Sequence, residues 1–428
     1  MKILNNEQDA IQELKRISSR TNSENNNKIN AIVEEILQEV KTYGDIAVEK
    51  YTKKFDGFNP NPMQVSANDL KDAWDEIDGN LKRSLELAHK RIKKFHEKEI
   101  PSSFTLEGEH GDRVQRRWKP VKNAGIYIPG GRAAYPSTVL MNAIPAKVAG
   151  VQEIIMVSPG NREGIINKTV LAAAHLSGIN KVFRIGGAQA IGALAFGTNQ
   201  IDKVDVISGP GNIYVTTAKK LIYGSTGIDS LAGPSEILII ADETAQSTHI
   251  ASDLLAQAEH DPLASSILLT TSMEQAKKVL EELYKKIDDH PRKEICMQSI
   301  KNWGLIVICE NYDSCIELSN NFAPEHLEIL TCDPKKILEG IDNAGAIFLG
   351  NWTPEAVGDY LAGPNHTLPT SGNSRFSGSL GVETFMKNTS IIEFTEESLR
   401  VNSLDIINLA KSEGLHSHAN SVQIRFQD

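Results

Sequence analysis

From Arg117 onward the sequence alternates apolar runs of four or five residues with longer stretches whose apolar residues recur every three or four positions. That alternation builds βα units, and repeated βα units build a mainly parallel sheet covered by helices. The runs Ala124–Ile128, Glu153–Val157, Val182–Ile185, Val204–Ile207 and Ile237–Ala241 read as the strands of one α/β domain. The runs Ile267–Thr270, Leu305–Cys309, Leu327–Leu330 and Ala346–Leu349 read as a second, joined by amphipathic stretches such as 273–286.

Helical texture flanks these series. Between about residues 7 and 100, Ile29, Ile32, Val33, Ile36, Leu37 and Val40 form one apolar stripe, and Ser66 with Asp69 makes a capping-box variant before a further helix. The tail from about 395 to 428 is helical, broken at Gly414, and too short to hold its own core, so it is expected to pack on a partner subunit.

Composition narrows the function. Lysine and arginine number 45 against 55 acids, a formal charge of −10, which disfavours a nucleic-acid partner. The basic cluster Lys90, Arg91, Lys93 and Lys94 has acidic neighbours and reads as a solvated helix face. The first residues turn polar at Asn5, leaving no signal-peptide core, and no apolar run approaches the ~20 residues of a membrane span, so a cytoplasmic protein is expected. Cys296, Cys309, Cys315 and Cys332 match neither a redox pair nor a zinc-thiolate spacing, and read as buried reduced thiols.

Chemistry-bearing motifs fall at strand ends and in loops. Four glycine-rich turns, Pro129-Gly130-Gly131, Gly186-Gly187-Ala188-Gln189, Ser208-Gly209-Pro210-Gly211-Asn212 and Ala232-Gly233-Pro234-Ser235, together suit a nucleotide-sized ligand beyond the carboxyl ends of parallel strands. Each alone is an ordinary structural turn, and the dinucleotide fingerprint fails because Tyr214 stands where its third glycine belongs. Gln257 and His260 share a helix face and could reach one cation, although a plain core or surface histidine reads equally simply. Ala323-Pro324-Glu325-His326 sets a carboxylate beside an imidazole at a strand start. The pair acts together only if the turn holds it, because adjacent strand residues point to opposite faces. Gly, Pro, Asn and Asp crowd the segment from Gly350 through Asp359 and His366 to Pro369, as in a site-bearing loop. Glu413, His416 and His418 cluster near the C-terminus, as a metal-binding tail or a solvated helix break.

Taken together, Gly-Pro-Gly-Asn at 209–212, Gln257 with His260, Ala-Pro-Glu-His-Leu-Glu at 323–328, Gly-Asp-Tyr from 358 running on to Gly-Pro-Asn-His-Thr-Leu-Pro, and Glu413 with His418 resemble the histidinol dehydrogenase family in order and spacing over nearly the whole chain. The resemblance implies oxidation of L-histidinol to L-histidine, the last step of histidine synthesis, with two NAD reduced in succession and the aldehyde held on the enzyme. It implies zinc ligands at Gln257, His260, Asp359 and His418, acid/base roles for Glu325 and His326, and substrate contacts at Ser235, His366 and Glu413 beside the zinc ligands and the acid/base pair. Tyr127, Gln189 and Asn212 fall on NAD-contact positions, and a homodimer with shared active sites is expected.

The fold expected is α/β, with two Rossmann-like parallel-sheet domains and helical N-terminal and C-terminal extensions. Residues 1–25 form the first extension and 381–428 the tail on the partner. Segments 26–120 and 239–380 make a discontinuous domain with the zinc and catalytic residues, and 121–238 makes the domain with the NAD-binding turns. Three other readings compete: an aldehyde-dehydrogenase-like enzyme with a cysteine nucleophile, a same-family zinc- and NAD-dependent dehydrogenase of another amino or sulfonated alcohol, and a zinc-stabilised binding protein without catalysis.

Overall fold

The nine apolar runs form strands, sorted into two parallel sheets. These are seen in a computed structural model that describes residues 1–20, 26–130, 134–231 and 233–427. Gly131 and Ala232 of the glycine-rich turns, and residues 21–25 of the first extension, lie outside the described residues. One sheet has five strands in the order Lys181–Phe183, Glu153–Val157, Asn123–Tyr127, Val206–Ser208, Gly227–Ile228. The other has six, in the order Lys2–Leu4, Gly304–Ile308, Ser265–Thr270, Glu236–Ala241, His326–Leu330, Ala346–Leu349.

The strands are continuous apolar runs because both faces are covered. Ile237 and Ile239 share a core with Leu254 and Val279, while Leu238 and Ile240, pointing the other way, share one with Leu14 and Ile17. The strand Glu236–Ala241 therefore belongs to the six-stranded sheet, not to the series before it, and the boundary expected between 238 and 239 falls inside it.

Two further expectations about the flanks are corrected. Residues 1–20 are not a purely helical extension, since Lys2–Leu4 pairs with Gly304–Ile308 as the edge of the six-stranded sheet and the helix Glu7–Ser18 packs on that sheet. Three residues are too few to show a strand period. The helices Asn26–Tyr43 and Asp45–Phe55 cover the five-stranded sheet, where Val33, Leu37, Val40 and Val48 share a core with Ile155, Phe183 and Leu194. Ala67–Glu76, begun by the Ser66–Asp69 capping box, packs on Lys168–Leu176, and Gly79–His96 packs on Pro136–Ala149. An amphipathic stripe says that a face is buried without saying against what, so 26–99 were expected beside the wrong sheet.

These elements make up one compact unit, Met1–Glu99 with Lys122–Phe385. A second unit, Ile100–Val121 with Met386–Asp428, is an antiparallel sheet in the order Met386–Glu393, Arg113–Pro120, Phe104–Glu107, followed by the helices Glu396–Ser412 and His416–Gln423. The break between those helices falls at Gly414, which takes φ +73°, a left-handed value that glycine tolerates. Of the tail expected to be helical from 381, Val382–Phe385 is a 3-10 turn of the larger unit and Met386–Glu393 is an eight-residue strand. Among the described residues no helix is long and apolar enough to cross a membrane. Cys296, Cys309 and Cys315 are buried, but Cys332 is exposed, because it lies past the end of the strand His326–Leu330.

Candidate active site

Each parallel sheet of the larger unit has one place where its strand order reverses. In the five-stranded sheet it lies between Asn123–Tyr127 and Val206–Ser208, whose carboxyl ends lead into Ile128-Pro129-Gly130 and Gly209-Pro210-Gly211-Asn212. In the six-stranded sheet it lies between Glu236–Ala241 and His326–Leu330, and there the polar residues sit at the amino ends, Ser235 before one strand and Glu325 before the other. A single cleft of about 1780 Å³ is walled by Pro129, Pro210 and Asn212 on one side and by Ser235, Glu325 and His326 on the other. The glycine turns obey the carboxyl-end rule for nucleotide ligands. Glu325 and His326 sit at the opposite edge of their sheet.

Glu325 and His326 act on one cleft because one residue holds both. The backbone N–H of Glu236 donates to Oε2 of Glu325 at 2.8 Å, and its carbonyl oxygen lies 3.0 Å from Nδ1 of His326. A carbonyl only accepts, so Nδ1 carries the proton and Nε2 presents a lone pair. That Nε2 is buried with no hydrogen-bond partner. Burial pushes the His326 imidazole down to about 4, against the pull of Asp359. Burial also raises Glu325 well above the ordinary carboxylate range, with the acids Glu236 and Asp359 adding to it. The Glu236 side chain is fixed in turn by Arg20. The guanidinium donates to Oε1 at 2.8 Å and to the Leu263 and Pro234 carbonyls, and both side chains are fully buried.

Ligand atoms of His260, Glu355 and Asp359 lie within 4.8 Å of one another at the same cleft. Glu355 and Asp359 stand four residues apart on the short helix Glu355–Tyr360, on one face, inside the segment read as a long loop. Gln257 is fully buried in the last turn of Ser247–Ala258, and with its amide assigned so that nitrogen rather than oxygen faces the carboxylate, it donates to both Glu355 oxygens, at 2.8 and 3.1 Å. This is the orientation in which a carboxylate meets donors, and it turns the amide oxygen away from Glu355. His260 lies two residues past that helix and is exposed, so the pair does not share a helix face as expected. The Glu355 backbone N–H donates to Oε1 of Glu328 at 2.8 Å, and burial with Asp359, Glu325 and Glu328 nearby raises Glu355 well above the carboxylate range. His366 lines the cleft with Nδ1 3.1 Å from the Asp359 carbonyl and Nε2 3.4 Å from Oγ1 of Thr138.

On the opposite wall, Asn212 caps the helix Ile213–Ile222, accepting from the N–H groups of Tyr214 and Val215 at 3.1 and 3.2 Å. Tyr127 and Gln189 are buried and are not among the residues that line the cleft. The Tyr127 hydroxyl accepts from the Gly187 N–H at 3.2 Å, and both polar atoms of the Gln189 amide lack a partner. Glu413 and His418 belong to the second unit, one capping the helix Glu396–Ser412 and the other on His416–Gln423, and both are exposed there. No cysteine lines the cleft among the described residues. Sequence reasoning passed over Glu355, Glu328, Glu236 and Arg20. Only Glu355 left a signal, its four-residue spacing to Asp359.

A tautomer-fixed imidazole, a buried acid beside it and a nucleotide-type turn across the cleft, on Rossmann-like sheets, define an oxidoreductase. The histidinol dehydrogenase family profile matches residues 19–426. The chain is 91% identical over 428 residues to the histidinol dehydrogenase of Prochlorococcus marinus (strain MIT 9312), covering 100% of this chain and 97% of that protein. Against the same enzyme of Thermosynechococcus vestitus (strain NIES-2133 / IAM M-273 / BP-1) identity is 51% over 429 residues, covering 100% of both. A crystal structure of histidinol dehydrogenase from Elizabethkingia anophelis superposes with a TM-score of 0.89 at 36% identity, covering 95% of this chain and 93% of that one. An acetylating aldehyde dehydrogenase from Geobacillus thermoglucosidasius reaches a TM-score of 0.52 at 15% identity over 91% of this chain and 97% of its own, a likeness of fold alone. The chain belongs to the histidinol dehydrogenase family.

Proposed function

We propose that this cleft oxidises L-histidinol to L-histidine by two successive hydride transfers to NAD, with a zinc ion holding the substrate, in a cytoplasmic homodimer with shared active sites. The five-stranded half serves NAD and the six-stranded half serves the substrate. The observation that carries this reading is the convergence on one cleft of the Asn212 turn, the lone pair of His326 and the group His260, Glu355 and Asp359.

The donor set fits zinc. It offers imidazole nitrogen and carboxylate oxygens, and the assigned orientation of the Gln257 amide turns its oxygen away from Glu355. Gln257, His260 and Asp359 would hold the ion with His418 of the partner subunit, and the ion would fix the substrate's imidazole and amino nitrogens as a redox-inert Lewis acid. NAD, when bound, accepts the hydride. Nε2 of His326 takes the carbinol proton as hydride leaves, since Nδ1 is committed to Glu236. Glu325, made a stronger base by the burial that raises it, activates the water that hydrates the aldehyde, and His326 takes up protons again in the second oxidation. Ser235 and His366 line the substrate wall, and Glu413 and His418 would complete it from the second copy.

The second unit supports the dimer. It is a small unit that exposes Leu106, Ile392, Val401, Leu404 and Leu409, apolar surface that a closed interface would remove from water. Counting NADH formed per histidinol consumed tests the whole reading. Two per substrate supports it; one, with aldehyde accumulating, overturns it.

A further inference from the structure

Gly209 sits where the strand Val206–Ser208 ends, with φ +111°, and a Cβ there would lie 2.1 Å from the Tyr127 carbonyl oxygen. Position 209 therefore cannot carry a side chain that would hold its own peptide. Both of its main-chain polar groups are instead taken by one buried ion pair. The Gly209 N–H donates to Oδ2 of Asp229 at 2.8 Å, its carbonyl accepts from Nζ of Lys219 at 3.1 Å, and Lys219 also bonds Oδ1 of Asp229. The two side chains are each 3% exposed.

Lys219 comes from the helix that Asn212 caps, and Asp229 follows the edge strand Gly227–Ile228. Three consecutive elements are thus closed into a ring around one peptide. Pro210, Gly211 and Asn212 line the large cleft, whereas neither Lys219 nor Asp229 does. A buried ion pair adds little stability over an apolar pair of the same size, because desolvation consumes the Coulombic gain. What this pair supplies that an apolar pair cannot is two directed hydrogen bonds at the base of the turn.

We infer that Lys219 and Asp229 are positioning residues for the cofactor, setting the backbone of 209–212 in its NAD-binding geometry without touching NAD. This rests on the reading of that turn as an NAD contact. The test uses the full-length protein with three variants: Lys219→Met, Asp229→Asn, and the apolar double Lys219→Met/Asp229→Leu, which keeps the site filled if a single variant leaves an unpaired buried charge and fails to fold. NAD affinity is measured by titration of the free enzyme, beside KM for histidinol, zinc content and thermal unfolding. Each folded variant should bind NAD about tenfold or more weakly, the scale of lost hydrogen bonds to charged groups, with KM for histidinol and zinc content unchanged. A merely structural role would move the unfolding temperature and leave NAD affinity alone. Folded variants, single or double, that bind NAD as the parent does overturn the inference while the NAD reading stands. A parent protein that binds no NAD overturns the reading and the inference together.

Discussion

Glu236 holds His326 through its main chain, with the Glu236 carbonyl 3.0 Å from Nδ1 of the imidazole. The proposed base is therefore aimed by a peptide group at the amino end of a central strand, a partner that the sheet itself holds in place.

Replacing that base isolates its share of the reaction. His326→Asn should slow hydride transfer from both histidinol and histidinal, by ~10²–10⁴-fold for a lost general base. Single-turnover NADH formation, started separately from alcohol and from aldehyde, measures each step. Parent-like rates in either would remove His326 from it.

Glu325→Gln divides the two oxidations. Only the second consumes a water, so turnover of the aldehyde should fall more than that of the alcohol. An aldehyde rate equal to the parent's would exclude Glu325 as the group that activates water.

Glu355 predicts a metal phenotype without being counted among the expected ligands. Its carboxylate takes the Gln257 amide nitrogen, so Glu355→Ala should release that amide and weaken zinc binding by about 10–100-fold, as loss of an outer support does. Competition with a chromogenic chelator reads the affinity directly. Unchanged zinc affinity in a folded Glu355→Ala protein would refute this role.

Shared sites can be tested by mixing two dead proteins. His260→Ala and His418→Ala should each be inactive, yet heterodimers would place both lesions in one site and leave the other whole. Activity should return on mixing. Its absence, with heterodimers shown to form, would place His418 in its own chain's site.

Cysteine chemistry predicts the opposite of what the cleft predicts. Three of the four thiols are buried and none lines the cleft among the described residues, so replacing all four by serine should lower stability more than turnover. A folded cysteine-free protein that no longer oxidises the aldehyde would restore the thiol mechanism.

The parallel sheets were legible because strands covered on both faces appear as unbroken apolar runs, and Glu153–Val157 and Ala346–Leu349 matched to the residue. The antiparallel sheet was not. Its central strand reads Arg-Val-Gln-Arg-Arg-Trp-Lys-Pro and is largely exposed, so neither apolarity nor alternation marks it. At the site, the motif residues Ser235, His260, Glu325, His326, Asp359 and His366 all reach one cleft. The residues that hold them, Arg20, Glu236, Glu328 and Glu355, carry charges that look in sequence like any solvated polar letter. Only burial reveals their work, and burial is decided by contacts 27 to 216 positions away along the chain.

The cleft is assembled from the carboxyl edge of one sheet and the amino edge of another, with the glycine turns on the first and Glu325 and His326 on the second. A reaction that needs two oxidant molecules in turn must discard a spent one while a reactive half-product waits. With the proposed cofactor turns and the proposed substrate residues carried on different sheets, exchanging the oxidant need not disturb the residues that hold the substrate, which would let a single cleft run two oxidations without surrendering its aldehyde.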